Sequence, residues 1–169
     1  MDLKSALSKL GRSILATIGL ATVVQVGFEE PVLLEEAVGA AIVSTRLSGA
    51  VTDEMIPLVE NSVPTNIVFS CELYTASGKR SSKVIVQSLF YRSLDRRFVV
   101  AKNGIETAHA TIESAIADLE LLELALPDEK PASIVFGARL DMPTIPDAQM
   151  IRDLWRGQIP TLVYSMESR

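Results

Sequence analysis

The chain of 169 residues, 48% hydrophobic and 22% charged, has the size and composition of one globular domain with room for an appended segment. Its net charge of -5 at pH 7 argues against a nucleic-acid partner, because Lys and Arg side chains supply most of the affinity for phosphate backbones. A single cysteine excludes an internal disulfide and a thiolate metal cluster.

The N-terminal stretch combines basic residues with a long apolar run. "MDLKSALSKLGR" leads into Ser13–Phe28, which contains no charge. This run is shorter than the roughly 20 residues that span a hydrocarbon core and longer than many signal-peptide cores. Its uniform apolarity argues against a two-faced helix packed on the domain. The pattern predicts an uncleaved apolar signal or anchor helix at 1–30, with the acidic body exported.

The first part of the body is predicted to mix short elements. Residues 29–36 form an acidic connector or a helical stub, and residues 38–51 form a strand. A short helix is predicted at 52–62, where Thr52 or Asp53 is placed to cap the first turn.

The middle of the chain has the pattern of an antiparallel meander. Runs of β-branched and aromatic residues predict strands at 65–76, 81–93 and 98–102. Asn103-Gly104 is the strongest two-residue hairpin signal in the chain. The stretch "ETAHAT" after it, which holds the only histidine, His109, is predicted to be a loop.

The last third begins with a helix predicted at 110–124, with apolar residues at helical spacing and Thr111 as N-cap. A strand at 132–142, a short helix at 146–155 and an edge strand at 161–166 complete the chain.

These elements predict an α+β fold in which an antiparallel β-meander sheet has helices on one face, preceded by the apolar N-terminal helix. Residues 31–169 form this single domain. A β-sandwich with helical decoration is the alternative. The contiguous meander excludes a doubly wound nucleotide-binding fold, which alternates strands and helices throughout.

No residues assemble into a catalytic, cofactor-binding or metal-binding motif. Cys71 lies in the apolar run "IVFSCELY" and is predicted to be a small buried hydrophobe, because a nucleophilic thiol would need His109 beside it. Asp141 is expected to close a turn, and Arg139 is placed to pair with it.

The remaining polar clusters have structural interpretations. The acidic side chains that lack a calcium-loop pattern are predicted to be a solvated surface: Asp118, Glu120, Glu123, Asp128 and Glu129. The serines have no G-x-S-x-G context, so a serine hydrolase is unsupported. Trp155 and Tyr164 are expected to pack on the sheet.

The stretch "LFYRSLDRRFVV" (89–100) interleaves aromatic and basic residues, as a nucleic-acid-binding strand does. Its arginines cluster at a predicted turn, where Asp95 partly offsets them within an acidic domain. We therefore interpret it as a hairpin and expect no nucleic-acid partner.

Three segments carry a resemblance to a known family: "NSVPTNIVFSCELY" (61–74), "LFYRSLDRRFVV" (89–100) and "ARLDMPTIP" (138–146). In this order, with a helix between the last two, they resemble the bacterial domain-of-unknown-function family numbered 4390. The resemblance implies an N-terminal signal or anchor and no established activity. It also implies a gene often located near those of membrane sensor kinases.

Together these observations predict a non-enzymatic envelope domain, membrane-anchored or exported, that acts through contacts with a protein partner in or at the membrane. We expect it at the bacterial inner membrane, held by the N-terminal helix, with the domain in the periplasm. Secretion to the periplasm, or a cytoplasmic location with 13–28 packed on the core, are the alternatives. No cofactor is expected. The alternative function is binding of a lipid or hydrophobic peptide in the sheet–helix core, and an enzyme using Cys71 or Asp141 is a third hypothesis.

Overall fold

The computed structural model describes residues 25–35 and 41–166. The strands in these ranges are β1 (Gly27–Phe28), β2 (Val32–Glu35), β3 (Ala41–Ser48), β4 (Thr65–Tyr74), β5 (Arg80–Arg92), β6 (Arg97–Lys102), β7 (Ile105–His109), β8 (Leu121–Ala125), β9 (Ser133–Asp141) and β10 (Thr161–Ser165). The helices are α1 (Ile56–Glu60), α2 (Ile112–Glu120) and α3 (Ala148–Leu154). Most of the predicted N-terminal helix lies outside the described residues.

The larger sheet has six antiparallel strands in the order β10-β9-β4-β5-β6-β7. The predicted meander strands form β4, β5 and β6 of this sheet. Asn103 and Gly104 have φ angles of 50° and 81°, which are the two positive values that a tight type I′ hairpin requires. β9 returns beside β4, so β10 lies at one edge of the sheet, as predicted.

The smaller sheet is built around β3. β8 pairs with one side of β3, while β1 and β2 follow each other along the other side. The register shifts by one residue between β1 and β2, and in this interval the Glu29 N–H donates to the Arg46 carbonyl over 2.8 Å. This one-residue shift is a β-bulge.

The two sheets share one hydrophobic core. Phe28 of the small sheet packs against Phe69 and Phe136 of the large sheet, with ring centroids 6.2 Å and 5.9 Å apart. Strand alternation directs every second side chain of β4 into this core, as in Ile67, Phe69 and Cys71. These three side chains therefore lie on the face of the large sheet that the two sheets bury between them.

All three helices lie on the core side of the large sheet. α1 contributes Val59 to the core, α2 packs against β5, β6 and β7, and α3 is followed by the buried Trp155. The Trp155 indole N–H donates to the Ala50 carbonyl over 2.8 Å, so the polar atom of this side chain is paired as its burial requires. Trp155 and Tyr164 pack on the core, as predicted.

The α+β class and the antiparallel sheet are confirmed, but three segments differ from their predictions. The predicted connector 29–36 contains β2, the predicted loop "ETAHAT" contains most of β7, and the end of the predicted helix 110–124 is β8. Each is a short segment that gains its hydrogen bonds from β3 or β6. Such segments become strands through tertiary pairing, which overrides local pattern.

The helix caps give one confirmation and one correction. Thr111 caps α2, its hydroxyl accepting from the Ser114 N–H over 3.3 Å. The predicted caps Thr52 and Asp53 are wrong, because α1 begins four residues after Thr52 and its N-cap residue is Met55. The Thr52 carbonyl instead accepts from the Met55 N–H over 2.9 Å in the preceding turn.

Two side chains before residue 30 pack against the rest of the described chain. Val26 is buried, and its N–H donates to the Gln158 side chain over 2.9 Å. Phe28 lies against the core. Within the described ranges, none of the helices has both the length and the apolar character needed to cross a bilayer.

Candidate functional site

The outer face of the large sheet carries exposed valines. We call Val68, Val84, Val86, Val135 and Val163 the valine face; Val68 is buried and Val135 is partly buried between the exposed members. The exposed fractions of Val84, Val86 and Val163 are 66%, 46% and 66%. No helix in the described ranges lies over this face, because α1, α2 and α3 all contribute to the opposite side. Exposed apolar surface of this kind marks a contact site more often than a solvated face.

Strand register brings these valines together from four strands. Val163 of β10 lies opposite Val135 of β9, and Val68 of β4 lies opposite Val86 of β5. Between them Ser70 is opposite Gly137, where an added Cβ would be 2.6 Å from the Ser70 Oγ. Small side chains in the middle make this face flat, so a partner surface could approach the sheet closely.

Charged residues border the valine face. Glu72 accepts a hydrogen bond from the Tyr74 hydroxyl over 2.6 Å and forms an ion pair with Arg80. The Tyr74 bond, followed by the Arg80 bond, lowers the pKa of Glu72. Arg139 and Asp141 occupy the same face of β9, as alternation predicts, but no ion pair joins them in the described part of the chain. An apolar centre with a polar border is typical of protein interfaces.

A second cluster connects α2 to the core side of the sheet. His109 is hydrogen-bonded through Nδ1 to the Ser114 Oγ (2.8 Å) and through Nε2 to Asp118 Oδ2 (2.9 Å). The other Asp118 oxygen, Oδ1, is 2.8 Å from Lys102 Nζ. We call Lys102, His109, Ser114 and Asp118 the helix brace. Partial burial opposes ionisation of Asp118, but the Lys102 and His109 bonds outweigh it and lower its pKa.

The helix brace also closes the C-terminal end of α2. Lys102 Nζ donates to the carbonyls of Asp118 and Leu121, and the Gln87 side-chain amide donates to the Leu121 carbonyl over 3.1 Å. A helix leaves its last carbonyls without partners, and a cation at this end also complements the helix dipole. The cluster therefore holds α2 on β6 and β7.

The brace contains the connections of a serine–histidine–carboxylate triad, in which a base contacts the nucleophile and a third group orients the base. Ser114 is exposed, so its hydroxyl is accessible. However, Asp118 shares its carboxylate with Lys102, and the Ser114 N–H is bonded to Thr111 instead of facing a developing oxyanion. We interpret the cluster as structural.

Glu120 is a buried carboxyl at the end of α2. Its Oε1 accepts from the Ala50 N–H over 3.0 Å, and its Oε2 is 3.8 Å from Arg46. Burial raises the pKa of Glu120, an effect that the Ala50 bond and Arg46 only partly offset.

The free energy of unfolding of Glu120→Gln, measured relative to that of wild type, is expected to increase as pH increases from 4 to 7. The folded protein binds more protons than the unfolded chain between the usual Glu pKa and the raised one, so wild type loses stability through that window. Gln retains an acceptor for Ala50 but does not titrate. Urea unfolding of both proteins at several pH values measures the difference. Glu123→Gln, at an exposed position of β8, is the control. A stability difference between Glu120→Gln and wild type that is flat or falls with pH would contradict this prediction.

One surface cavity, of about 390 Å³, lies between the loop before α1 and helix α3. Three of its six lining residues are acidic: the lining is Glu54, Asp147, Gln149, Met150, Asp153 and Leu154. It does not resemble the aliphatic pocket expected for a hydrophobic ligand, and binding of such a ligand stays a prediction.

The residues weighed from sequence do not meet in a site. Cys71 is fully buried, as predicted, and burial raises its pKa to about 11, so its thiol is protonated at neutral pH. His109 is bonded to Ser114 and Asp118. Asp141 is on the outer face of β9, opposite Asn66. The structure describes no group of three or more His, Cys, Asp or Glu side chains that could hold a metal in residues 25–35 and 41–166.

The predicted solvated acidic surface is wrong for two of its members. Asp118 belongs to the helix brace and Glu120 is buried. Glu123, Asp128 and Glu129 are exposed as predicted.

The sequence contains the information needed to predict the helix brace. Ser114 and Asp118 are four residues apart on one helix face, and the Asn103-Gly104 turn implies a strand that reaches His109. The signal for the valine face was the run "VIV" at 84–86, which is apolar on both faces.

The hairpin 89–100 joins β5 and β6, as predicted. Arg92 is paired with Asp95 (2.8 Å) and with Glu106 (3.2 Å), so its guanidinium is engaged within the domain.

A comparison of the chain with models of protein families, with curated proteins and with solved structures gave no match.

Proposed function

We propose that this protein is a non-enzymatic domain of the bacterial envelope, anchored or exported by its N-terminal segment, that binds another protein through the valine face. The observation that carries the proposal is the exposure of Val84, Val86 and Val163 on a sheet face that none of the described helices covers.

The chemistry of this face suits a protein surface. Its centre offers β-branched apolar side chains and small residues such as Ser70 and Gly137, so a sheet or helix of a partner can exclude water from it. Glu72, Arg80 and Arg139 at its border supply polar groups that can set orientation.

The length of the N-terminal apolar run supports export. Because Val26 and Phe28 belong to the body, the uncharged run that remains is Ser13–Gln25. As a helix it would measure about 20 Å, against about 30 Å for a hydrocarbon core. This is the length of a signal-peptide core and follows basic residues, the usual order in an export signal. The resemblance to family 4390, whose members follow a signal or anchor, agrees with this proposal.

The test is a double charge substitution on the valine face, Val84→Lys with Val86→Lys. Both side chains are exposed, so folding should be retained, while two ammonium groups in the apolar centre should weaken partner binding by at least about tenfold. Crosslinking in membranes followed by mass spectrometry measures which proteins are recovered with each variant.

Leu94→Lys, at a 96% exposed turn position away from this face, is the matched control. A partner recovered with wild type and Leu94→Lys but lost with the double variant supports the proposal. Recovery of no specific partner, or of the same partners with all three proteins, would refute it. Fractionation of the same cells into cytoplasm, membrane and periplasm shows whether the full-length chain is exported.

A further inference from the structure

The edge strand β10 differs from the other edge strands of the two sheets. β1 has only two residues and so offers little edge to pair with. β7 carries Glu106 and His109, β8 carries Glu123, and β2 follows a bulge that contains Pro31. Charges, prolines and bulges protect an edge from pairing with another strand. β10, "TLVYS", contains none of these devices.

Hydrogen bonds at both ends of β10 show which of its backbone groups face outward. The Met166 N–H donates to the Ala132 carbonyl, and the Ala138 N–H donates to the Pro160 carbonyl. In an antiparallel ladder such bonded positions alternate, so Leu162 and Tyr164 also face β9. The N–H and C=O groups of Thr161, Val163 and Ser165 therefore point away from the sheet.

These three outward positions are self-complementary. If a second β10 pairs antiparallel about a two-fold axis at Val163, Val163 lies opposite Val163 of the second copy and Thr161 lies opposite Ser165. All three pairs are then hydrogen-bonded pairs, which gives about six backbone hydrogen bonds. No charged side chain of the strand faces another, so the pairing brings no like charges together.

We propose that β10 pairs with β10 of a second copy of this chain, which makes a two-fold symmetric dimer with one continuous sheet. A second copy fits this edge because its own β10 presents the same uncharged outward positions in matching order. A one-residue shift of register would break this match. The pairing also joins the Val163–Val135 rows of the two copies, so apolar side chains on either side of the axis lose contact with water. This inference does not depend on the proposed function.

A single-cysteine crosslink tests the register. In the symmetric pair the two Val163 Cα atoms would be about 5.5 Å apart, within the range of a disulfide. Native Cys71 is fully buried and does not compete. Under mild oxidation the full-length Val163→Cys chain should form at least about five times more disulfide dimer than Val84→Cys. Val84 has the same exposure, 66%, but lies on an interior strand.

A charge exchange tests the pairing without a covalent bond. Val163→Lys places two ammonium groups opposite each other and should weaken dimerisation by at least about tenfold, and Val163→Glu should do the same. An equimolar mixture of the two variants should restore dimer formation, because opposite charges then face each other. Sedimentation equilibrium over a concentration series measures each case, with Val84→Lys as the control that still dimerises.

A full-length chain that sediments as a monomer throughout would overturn the proposal, as would equal crosslinking of Val163→Cys and Val84→Cys. A monomer whose Thr161, Val163 and Ser165 amides resist hydrogen exchange would overturn it too, because another segment of the same chain would then cover the edge. Loss of a partner with Val84→Lys and Val86→Lys while dimers persist would separate this inference from the proposed function.

Discussion

Replacing Phe28 by Ala is expected to lower the free energy of unfolding by about 3 kcal/mol, the low end of the usual range for a core phenylalanine, because Phe28 is partly buried against the core. Phe28 contacts Phe69 and Phe136, so its ring joins the small sheet to the large one. The loss would appear as a lower urea midpoint with an unchanged denaturant slope, measured on the full chain by circular dichroism.

The control is Val32→Ala on β2, a side chain that is 56% exposed. It should change the free energy of unfolding by less than about 0.5 kcal/mol. If Phe28→Ala were as mild as this control, the Phe28 ring would not join the two sheets as its contacts indicate.

Replacing Lys102 by Met is expected to destabilise the protein by about 3 kcal/mol at pH 7, because it leaves the partly buried Asp118 carboxylate without its cation. The same change removes the donor that Lys102 gives to the Asp118 and Leu121 carbonyls at the end of α2. The control is Arg92→Met, which breaks the exposed pairs with Asp95 and Glu106 and should cost less than about 1 kcal/mol.

The cost of Lys102→Met should depend on pH in a direction set by Asp118. The folded pKa of Asp118 is lowered below its usual value, so its contribution to stability is present above the unfolded pKa of about 3.9 and is lost as pH falls through the lowered folded value. The difference between wild type and variant should therefore be largest near pH 7 and shrink below about pH 4. A difference that does not change with pH would show that the lost carbonyl bonds, and not the ion pair, carry the effect.

Exposed and buried charges thus have separate roles in this molecule. The brace and Glu120 hold α2 against both sheets on the core side, whereas the charged residues on the opposite side border the apolar centre of the proposed contact. Substitutions on the two sides should accordingly have separable effects, on unfolding free energy for Lys102 and on association for Val84 and Val163.

The sequence by itself determined the elements whose information is local. The Asn103-Gly104 turn depends on two residues that tolerate positive φ, and the Thr111 cap depends on a hydroxyl within reach of the third amide of its own helix. Strands β4, β5, β6 and β9 are apolar runs that are long enough to be recognised without their partners. The burial of Cys71 followed from the apolar run around it.

Only the tertiary structure decided which short segments form strands and which surfaces remain exposed. β1, β2, β7 and β8 have two to five residues each, so their strand conformation depends on the backbone hydrogen bonds that β3 and β6 supply. Asp118 and Glu120 are charged residues two apart on α2, and it is the position of α2 between the sheets that removes them from water. The valine face likewise follows from where the helices pack, because an apolar strand shows which residues could be buried and only the packing decides which of its two faces remains exposed.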